Sequence, residues 1–224
     1  MTSSSCGTTS PRTHWAERTV SAKVDFKKEI EAYGARKGRF DLIEVPPLQY
    51  LMIDGHGDPN TSPAFTTAVE ALYPLAYGLK FASRREYDRD YTVMPLEGLW
   101  WADDQALFTS SRDKSAWHWT LMIMQPEWID HGMFADAAEE ASAKNRDVLG
   151  VRLETLDEGL SAQTLHVGTY DEEAPVLAKM HDVFIPAHGL QLTGTHHEIY
   201  FSDPRRGDPA KRRTLLRQPV GPIS

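Results

Sequence analysis

Residues 48–59 read LQYLMIDGHGDP, and residues 164–175 read TLHVGTYDEEAP. In both stretches an apolar-rich run stops at a glycine, and a proline stands near the start of the helical stretch that follows, which is typical of a strand that leads into a helix. Each helical stretch is followed by a strand candidate that carries a glutamate, Glu97 in the first case and Glu198 in the second. The sequence therefore repeats the order strand–helix–strand–strand.

Two such units predict the fold class. We expect an α+β fold in which duplicated strand–helix–strand–strand units form a pseudo-two-fold antiparallel sheet, with helices on one face and a ligand cleft on the other. The repeats span about residues 41–126 and 152–222, a helix at 130–145 joins them, and residues 22–222 form one domain of about 200 residues. Residues 1–21 are rich in serine and threonine and show no apolar period, so they are predicted to be a disordered tail.

The composition excludes several function classes. The chain has 224 residues and a formal net charge of −8, which argues against nucleic acid as the main partner. Its single cysteine, Cys6, excludes a disulfide framework and fits a reducing cytoplasm. The sequence has no apolar run of membrane-spanning length and no signal-peptide pattern at its N-terminus. We expect a cytoplasmic monomer or weak dimer that binds a small molecule, with no nucleic acid and no membrane as partner.

Alternation along a strand indicates which way its side chains point. In the stretch HHEIYF, residues 196–201, one set is His196, Glu198 and Tyr200, and the alternate set is more apolar. The apolar set is expected to pack on the helices, which would leave the set with Glu198 facing the open side of the sheet. A carboxylate in a strand must be solvated, paired or functional. Glu198 is therefore either a ligand-binding group or a strand carboxylate that is solvated or paired with Arg205 or Arg206.

The repeat predicts a cleft of carboxylates and aromatic rings. With the two units related by symmetry, Glu97 and Glu198 are expected to flank the cleft, with Tyr170 beside them. The other ligand-binding candidates are imidazole and aromatic side chains of the same strands: Trp101, Trp117, Trp119, His166, His196 and Tyr200. Tryptophans are usually core residues, but we expect at least one of Trp100 and Trp101, and one of Trp117 and Trp119, to line the cleft, since an indole stacks well on a flat ligand.

The two adjacent histidines do not predict a metal site. His196 and His197 point to opposite faces of a strand, so they do not readily share one ion. His166 would approach His196 from a neighbouring strand, but no third histidine is spaced to join them. We predict a protein that needs neither a metal ion nor another cofactor.

Several stretches together resemble the GyrI-like small-molecule-binding family: LQYLMIDGHGDPN from residue 48, MPLEGLWW from residue 94, HHEIYFSDPRR from residue 196 and LLRQPV from residue 215. The resemblance covers roughly residues 24–222. It implies the duplicated fold shared with the ligand-sensing domains of multidrug-responsive transcription activators, in which an acidic strand residue meets planar, cationic ligands. Glu198 occupies the matching position.

The resemblance also implies an activity. The standalone branch of the family is similar to hydrolases that open the strained cyclopropane of DNA-alkylating natural products, and catalysis would then fall on Glu198 and Tyr170. The alternative is a binding module without catalysis that serves as a sensor, a sink or an inhibitor of a partner protein. Both hypotheses need the same pocket for a planar ligand, hydrophobic or cationic, so the sequence leaves them open.

Overall fold

The computed structural model describes residues 22–103, 114–202 and 208–223. The strands are β1 (Asp41–Val45), β2 (Leu48–His56), β3 (Glu97–Trp101), β4 (His118–Gln125), β5 (Arg152–Leu156), β6 (Gly159–Val167), β7 (Leu190–Leu192), β8 (His196–Tyr200) and β9 (Arg213–Pro222). The α-helices are α1 (Phe26–Glu29), α2 (Pro63–Tyr87), α3 (His131–Ala143), α4 (Ala174–Lys179) and α5 (Ile185–Ala187). A π-helical turn, Met180–Phe184, joins α4 to α5, and the continuous run is called the 174–187 helix below.

The strands build one antiparallel sheet in the order β1-β6-β9-β8-β3-β4-β2-β5, and β7 pairs with β9. The unit β2–α2–β3–β4 supplies one half of the sheet, and the unit β6–174–187 helix–β8–β9 supplies the other. β3 and β8 pair with each other at the centre, so the pseudo-two-fold axis runs between them. The predicted α+β class and its duplicated unit are confirmed.

The outer strands cross between the two units. β1 precedes the first unit in sequence but pairs with β6 of the second, and β5 precedes the second unit but pairs with β2 of the first. Each half of the sheet is thus extended by an outer strand that comes from the other half of the sequence. The single domain at 22–222, with repeats at about 41–126 and 152–222, stays a prediction, and the crossing is a physical reason to expect the halves to fold together.

Two helices of the first half follow from their sequence. α2 begins with Pro63 at its first position, where a missing N–H costs nothing. Its apolar residues recur every three or four positions and are buried: Ala68, Leu72, Leu75, Ala76 and Leu79. α3, predicted at 130–145, begins after Asp130, whose carboxylate accepts a hydrogen bond from the Met133 amide at 2.8 Å.

Both long helices of the repeat cover the face of the sheet that carries Glu198. The register places Trp100 of β3 opposite His196 of β8, on the face shared with Glu198. Phe65 of α2 stacks near Trp100, with ring centroids 6.2 Å apart, and His181 of the 174–187 helix meets His196. The prediction that Glu198 faces away from the helices is therefore wrong.

The physical reason is that the opposite face is also buried. It carries His197 and Ile199, and His197 is completely enclosed by charged partners described below. Because the charges on that face neutralise one another, they are compatible with burial, and the apolar alternation in β8 does not distinguish the two faces.

Some predictions fall on residues outside the described ranges. These are the tail at 1–21 and the pairing of Glu198 with Arg205 or Arg206. Within the described ranges, no helix combines the length and the apolar character needed to cross a bilayer.

Candidate functional site

Glu198 lies in β8 directly opposite Gly98 of β3. Because Gly98 has no side chain, the indole of Trp100 lies close over the strand. A Cβ atom built on Gly98 would stand only 2.8 Å from Trp100 Nε1. The glycine therefore makes room for an indole beside the carboxylate at the centre of the sheet.

A chain of hydrogen bonds orients the Glu198 carboxylate. Trp100 Nε1 donates to the Tyr200 hydroxyl at 2.9 Å, and this hydroxyl donates to Glu198 Oε2 at 2.8 Å. His196 Nε2 lies 3.4 Å from the other carboxylate oxygen, Oε1. Burial, and then the Glu198 charge, raise the pKa of Tyr200 well above its ordinary value, so the hydroxyl stays protonated and remains a donor. The Glu198 side chain itself is 14% exposed.

Aromatic rings surround this carboxylate between the two helices. Trp117 meets Trp100 edge to face at 5.8 Å, and Tyr170 meets Tyr200 edge to face at 6.0 Å. Phe65 contributes from α2. We call the region above β3 and β8, between α2 and the 174–187 helix, the Glu198 cleft. Its walls suit a planar aromatic molecule.

Tyr170 reaches the cleft from a tightly fixed turn after β6. Glu172 Oε2 accepts hydrogen bonds from the Thr169 amide at 2.8 Å and from the Thr169 hydroxyl at 2.9 Å, and these bonds lower the pKa of Glu172. His166 Nε2 lies 3.0 Å from the Thr169 carbonyl oxygen. His166, predicted to bind ligand, thus uses its ring to hold the turn that presents Tyr170.

The predicted tryptophans divide between the cleft and other places. Trp117 packs on Trp100, whose indole is linked to Glu198 through the Tyr200 hydroxyl. Trp119 is fully buried and donates to the Gly57 carbonyl at 3.2 Å, so it is a core residue. Trp101 points to the opposite face and stacks on His118 with centroids 5.6 Å apart. One indole of each neighbouring pair, Trp100 and Trp117, lies on the side of the Glu198 cleft, and its contact with a ligand stays a prediction.

The prediction that Glu97 flanks the same cleft is wrong in its geometry. Glu97 pairs with Ile199, so it lies on the face opposite Glu198 and is fully buried. Its Oε1 accepts a hydrogen bond from the Tyr33 hydroxyl at 2.7 Å, and its Oε2 lies 3.0 Å from His197 Nε2. No bulge turns β3 at this point, so alternation keeps the two glutamates on opposite faces.

Glu97 belongs to a buried ionic network that sequence reasoning missed. His197 Nδ1 lies 3.0 Å from Glu158 Oε1, and Arg217 Nη1 donates to Glu158 Oε2 at 2.7 Å. Arg217 also donates to the Ala32 carbonyl at 2.6 Å. The partners come from the N-terminal segment, β3, the β5–β6 turn, β8 and β9, so no local spacing in the sequence announces the network.

The network shifts the pKa values of its members. Burial alone would raise the pKa of Glu158, but His197 and Arg217 outweigh it and lower that pKa to about 2. Burial would lower the pKa of His197, but the two carboxylates outweigh it and raise that pKa above the usual 6.5. A small cavity of about 260 Å³ adjoins the network near Leu99 and Glu158, away from the Glu198 cleft.

The sequence also missed a second carboxylate near the cleft. Glu173 is 4% exposed, and its charge contributes to the raised pKa of Tyr200. In the three described ranges of the chain, no group of three or more metal-ligating side chains is arranged to hold a metal ion.

A family model described as a GyrI-like small molecule binding domain matches residues 39–220. The chain belongs to the GyrI-like family. The resemblance carried by the sequence motifs is thereby confirmed, and small-molecule binding is the function associated with this domain. The comparison with curated proteins gave no match.

Solved structures place the GyrI-like chain beside two proteins from Listeria innocua. One, an uncharacterized conserved protein, is 38% identical with a TM-score of 0.81, and the alignment covers 89% of this chain and 100% of that one. The other, a hydrolase, is 37% identical with a TM-score of 0.79 at the same coverages, 89% and 100%. A complex of EcmrR with DNA matches at 12% identity and a TM-score of 0.52 over 83% of this chain and 58% of that one, which shows the fold alone.

Proposed function

We propose that the Glu198 cleft binds planar aromatic molecules and hydrolyses strained electrophiles of the cyclopropane-bearing, DNA-alkylating class, giving self-protection or detoxification. The observation that carries the proposal is the Glu198 carboxylate, which is oriented by the Tyr200 hydroxyl at 2.8 Å and enclosed by aromatic rings. The Listeria hydrolase that aligns with 89% of this chain supports an enzymatic role.

The walls of the cleft account for binding. Trp100, Trp117 and Phe65 lie on the first-half side and Tyr170 on the second-half side. Such rings stack on flat ligands and on organic cations, and they exclude bulk water from the ligand. A carboxylate at the base of the cleft adds attraction for a ligand that carries a positive charge or a polar hydrogen.

The chemistry proposed for Glu198 is general base catalysis. Glu198 removes a proton from water while the water oxygen bonds to the cyclopropane CH₂ carbon. The strained C–C bond breaks, and its electron pair moves through the conjugated ring to the carbonyl oxygen, which becomes a phenol after it takes up a proton. Substrate and one water thus give a ring-opened alcohol with a phenol, without any cofactor. Base catalysis of this kind typically gives ~10²–10⁴-fold, which suffices for a substrate that is already reactive.

Two tyrosines would assist the base. Tyr200 keeps the Glu198 carboxylate in one orientation through its hydrogen bond. Tyr170, whose ring packs against Tyr200, would hydrogen-bond the attacking water or the substrate. The proposal therefore assigns catalysis to Glu198 and Tyr170 and a positioning role to Tyr200.

The decisive experiment counts products per protein molecule. Purified protein is incubated with a tenfold excess of a cyclopropane-bearing alkylator, and the ring-opened product is quantified by mass spectrometry against a protein-free blank. Several products per protein molecule support hydrolysis. One equivalent of protected, unchanged alkylator and no product above the blank would exclude it.

The second candidate is a binding module without catalysis, and the family description as a small-molecule-binding domain favours it. It predicts stoichiometric protection of the alkylator and tight binding of planar organic cations that are not hydrolysed. The same mass-spectrometric experiment separates the two functions.

A further inference from the structure

The 174–187 helix changes its winding where it passes over the Glu198 cleft. α4 ends at Lys179, and the turn Met180–Phe184 is π-helical before α5 begins. Pro186 gives a physical reason, because it cannot donate a hydrogen bond to the carbonyl four residues earlier and its ring crowds that carbonyl. Widened turns of this kind occur frequently at functional sites, because they redirect side chains.

The residue that this turn directs at the sheet is His181. Its neighbour in the turn, Met180, is completely buried and anchors the helix on the core of the second half. The His181 ring meets the His196 ring edge to face, with centroids 6.2 Å apart and planes at 79°. His196 Nε2 in turn lies 3.4 Å from Glu198 Oε1, so His181 stands at the helix side of the same cleft.

One ring nitrogen of His181 makes no hydrogen bond to any of the described residues. This nitrogen, Nε2, is also buried. Burial, with a further contribution from His196, lowers the pKa of His181 to about 4, although Asp182 opposes the shift. The ring is therefore neutral at neutral pH and offers one N–H donor and one acceptor. A buried polar group without a partner is unfavourable, so a ligand that bonds to it gains affinity.

We propose that His181 is a ligand-binding residue of the Glu198 cleft and that its imidazole donates a hydrogen bond to a carbonyl oxygen of a planar, uncharged ligand. The inference rests on the proposed function for the identity of the cleft and adds the chemical class of the ligand. A conjugated carbonyl lies across the ring from the strained carbon of the proposed substrates. A donor on the helix and a base on the strand therefore match the two ends of one molecule.

The test compares two planar probes that differ by one carbonyl, 9-fluorenone and fluorene, by dissociation constant. Wild-type protein is expected to bind fluorenone more tightly by roughly two- to tenfold, the effect of one net hydrogen bond. His181→Phe keeps a ring but removes the donor, so it should bind both probes alike. His181→Gln restores a donor and should regain part of the preference for fluorenone.

Val183→Ala is the matched control, because Val183 lies in the same π-helical turn but is 59% exposed. It should leave both dissociation constants unchanged. If thermal melts show that His181→Phe is unfolded, His181→Leu replaces it in the comparison.

Each outcome bears on the inference. An equal preference for fluorenone in wild type and His181→Phe overturns it, as does the absence of any preference in wild type. Failure of wild type to bind either probe overturns both the inference and the proposal that the Glu198 cleft binds planar aromatic molecules. A His181-dependent preference in a protein that gives no product from the alkylator supports the inference and rejects only the hydrolase.

Discussion

His197 Nε2 lies 3.0 Å from Glu97 Oε2, although the two residues are 100 positions apart and belong to different halves of the chain. The other ring nitrogen, Nδ1, lies 3.0 Å from Glu158 Oε1. A neutral imidazole has a single N–H, so both contacts are donated hydrogen bonds only when the ring carries two protons. We conclude that His197 is an imidazolium that joins the two halves behind the Glu198 cleft, with its charge balanced within the buried network.

The first prediction is a loss of stability at alkaline pH. The pKa of His197 is raised in the folded protein above 6.5, mainly by Glu158 and Glu97 against the effect of burial. A raised pKa contributes stability that is complete below 6.5 and is lost as pH rises through the folded value. The free energy of unfolding should therefore fall from about pH 6.5 upward, while Arg217 and Tyr33 keep their protons. Urea unfolding at a series of pH values measures this slope, and His197→Gln should remove it.

The second prediction concerns the acid side of the same network. His197 and Arg217 outweigh the effect of burial and hold the pKa of Glu158 at about 2, below the usual 4.5 of a glutamate. A lowered pKa contributes stability that is present above 4.5 and is lost as pH falls toward 2. Glu158→Gln should flatten the acid limb of the stability curve. An unchanged acid limb in this variant would show that another carboxylate controls acid unfolding.

The third prediction is a large cost for removing Arg217. Arg217→Met leaves Glu158 buried with His197 but without its second charge partner, and breaking a buried pair in this way costs ~3–5 kcal/mol. Arg213→Met in the same strand is the matched control, because Arg213 is exposed and its loss should cost less than ~0.5 kcal/mol. Similar destabilisation by both variants would contradict the network's role.

The network also explains which parts of the structure the sequence could predict. The duplicated unit follows from local signals, namely glycine at the ends of β2 and β6 and proline near the starts of the helices that follow. The face of the sheet on which each glutamate lies does not follow from local signals, because it depends on partners that are distant in sequence. Glu97 and His197 are compatible with burial only through Tyr33, Glu158 and Arg217, and no spacing in the chain links these residues.

The candidate site was predictable to a similar extent. Alternation correctly grouped His196, Glu198 and Tyr200 on one face, because it is a property of the strand alone. Trp100 reaches Glu198 only because Gly98 lies opposite the carboxylate, which requires the register of β3 on β8. His181 reaches the cleft through the π-helical turn, whose only sequence signal is Pro186.

The fourth prediction concerns Gly98. A Cβ atom in Gly98→Ala would meet Trp100 Nε1 at 2.8 Å and displace the indole that holds Tyr200. Overpacking of this kind typically costs ~1–3 kcal/mol, and fluorenone binding should weaken as the cleft loses its wall. Gly78→Ala in α2 is the control, because a Cβ there meets nothing within 4 Å, and it should stabilise the protein by ~0.5–1 kcal/mol. Gly98→Ala should lower both the melting temperature and the affinity for fluorenone, whereas Gly78→Ala should raise the melting temperature and leave the affinity unchanged.

The last prediction concerns Glu198 itself. Glu198→Gln conserves volume and still accepts the Tyr200 hydrogen bond, so the fold and much of the ligand affinity should remain. The amide oxygen is a very weak base, so single-turnover hydrolysis of the alkylator should fall by ~10²–10⁴-fold. Tyr170→Phe should cost less, because it removes one hydroxyl and keeps the ring as a wall. Glu70→Gln, an exposed substitution on α2, should leave the rate unchanged.

A purely structural Glu198 leads to different results. The carboxylate would then matter only as a charged acceptor for Tyr200, which binds the hydroxyl more strongly than the neutral amide of Gln does. Glu198→Gln and Tyr200→Phe would both lower the melting temperature, without a specific loss of rate below it. Measuring thermal stability, probe affinity and single-turnover rate on the same variants separates these cases. A folded Glu198→Gln protein that hydrolyses at the wild-type rate removes Glu198 from the mechanism. If wild type gives no product and Glu198→Gln weakens the binding of a planar cation, Glu198 is a recognition group, because only the charged carboxylate attracts the cation.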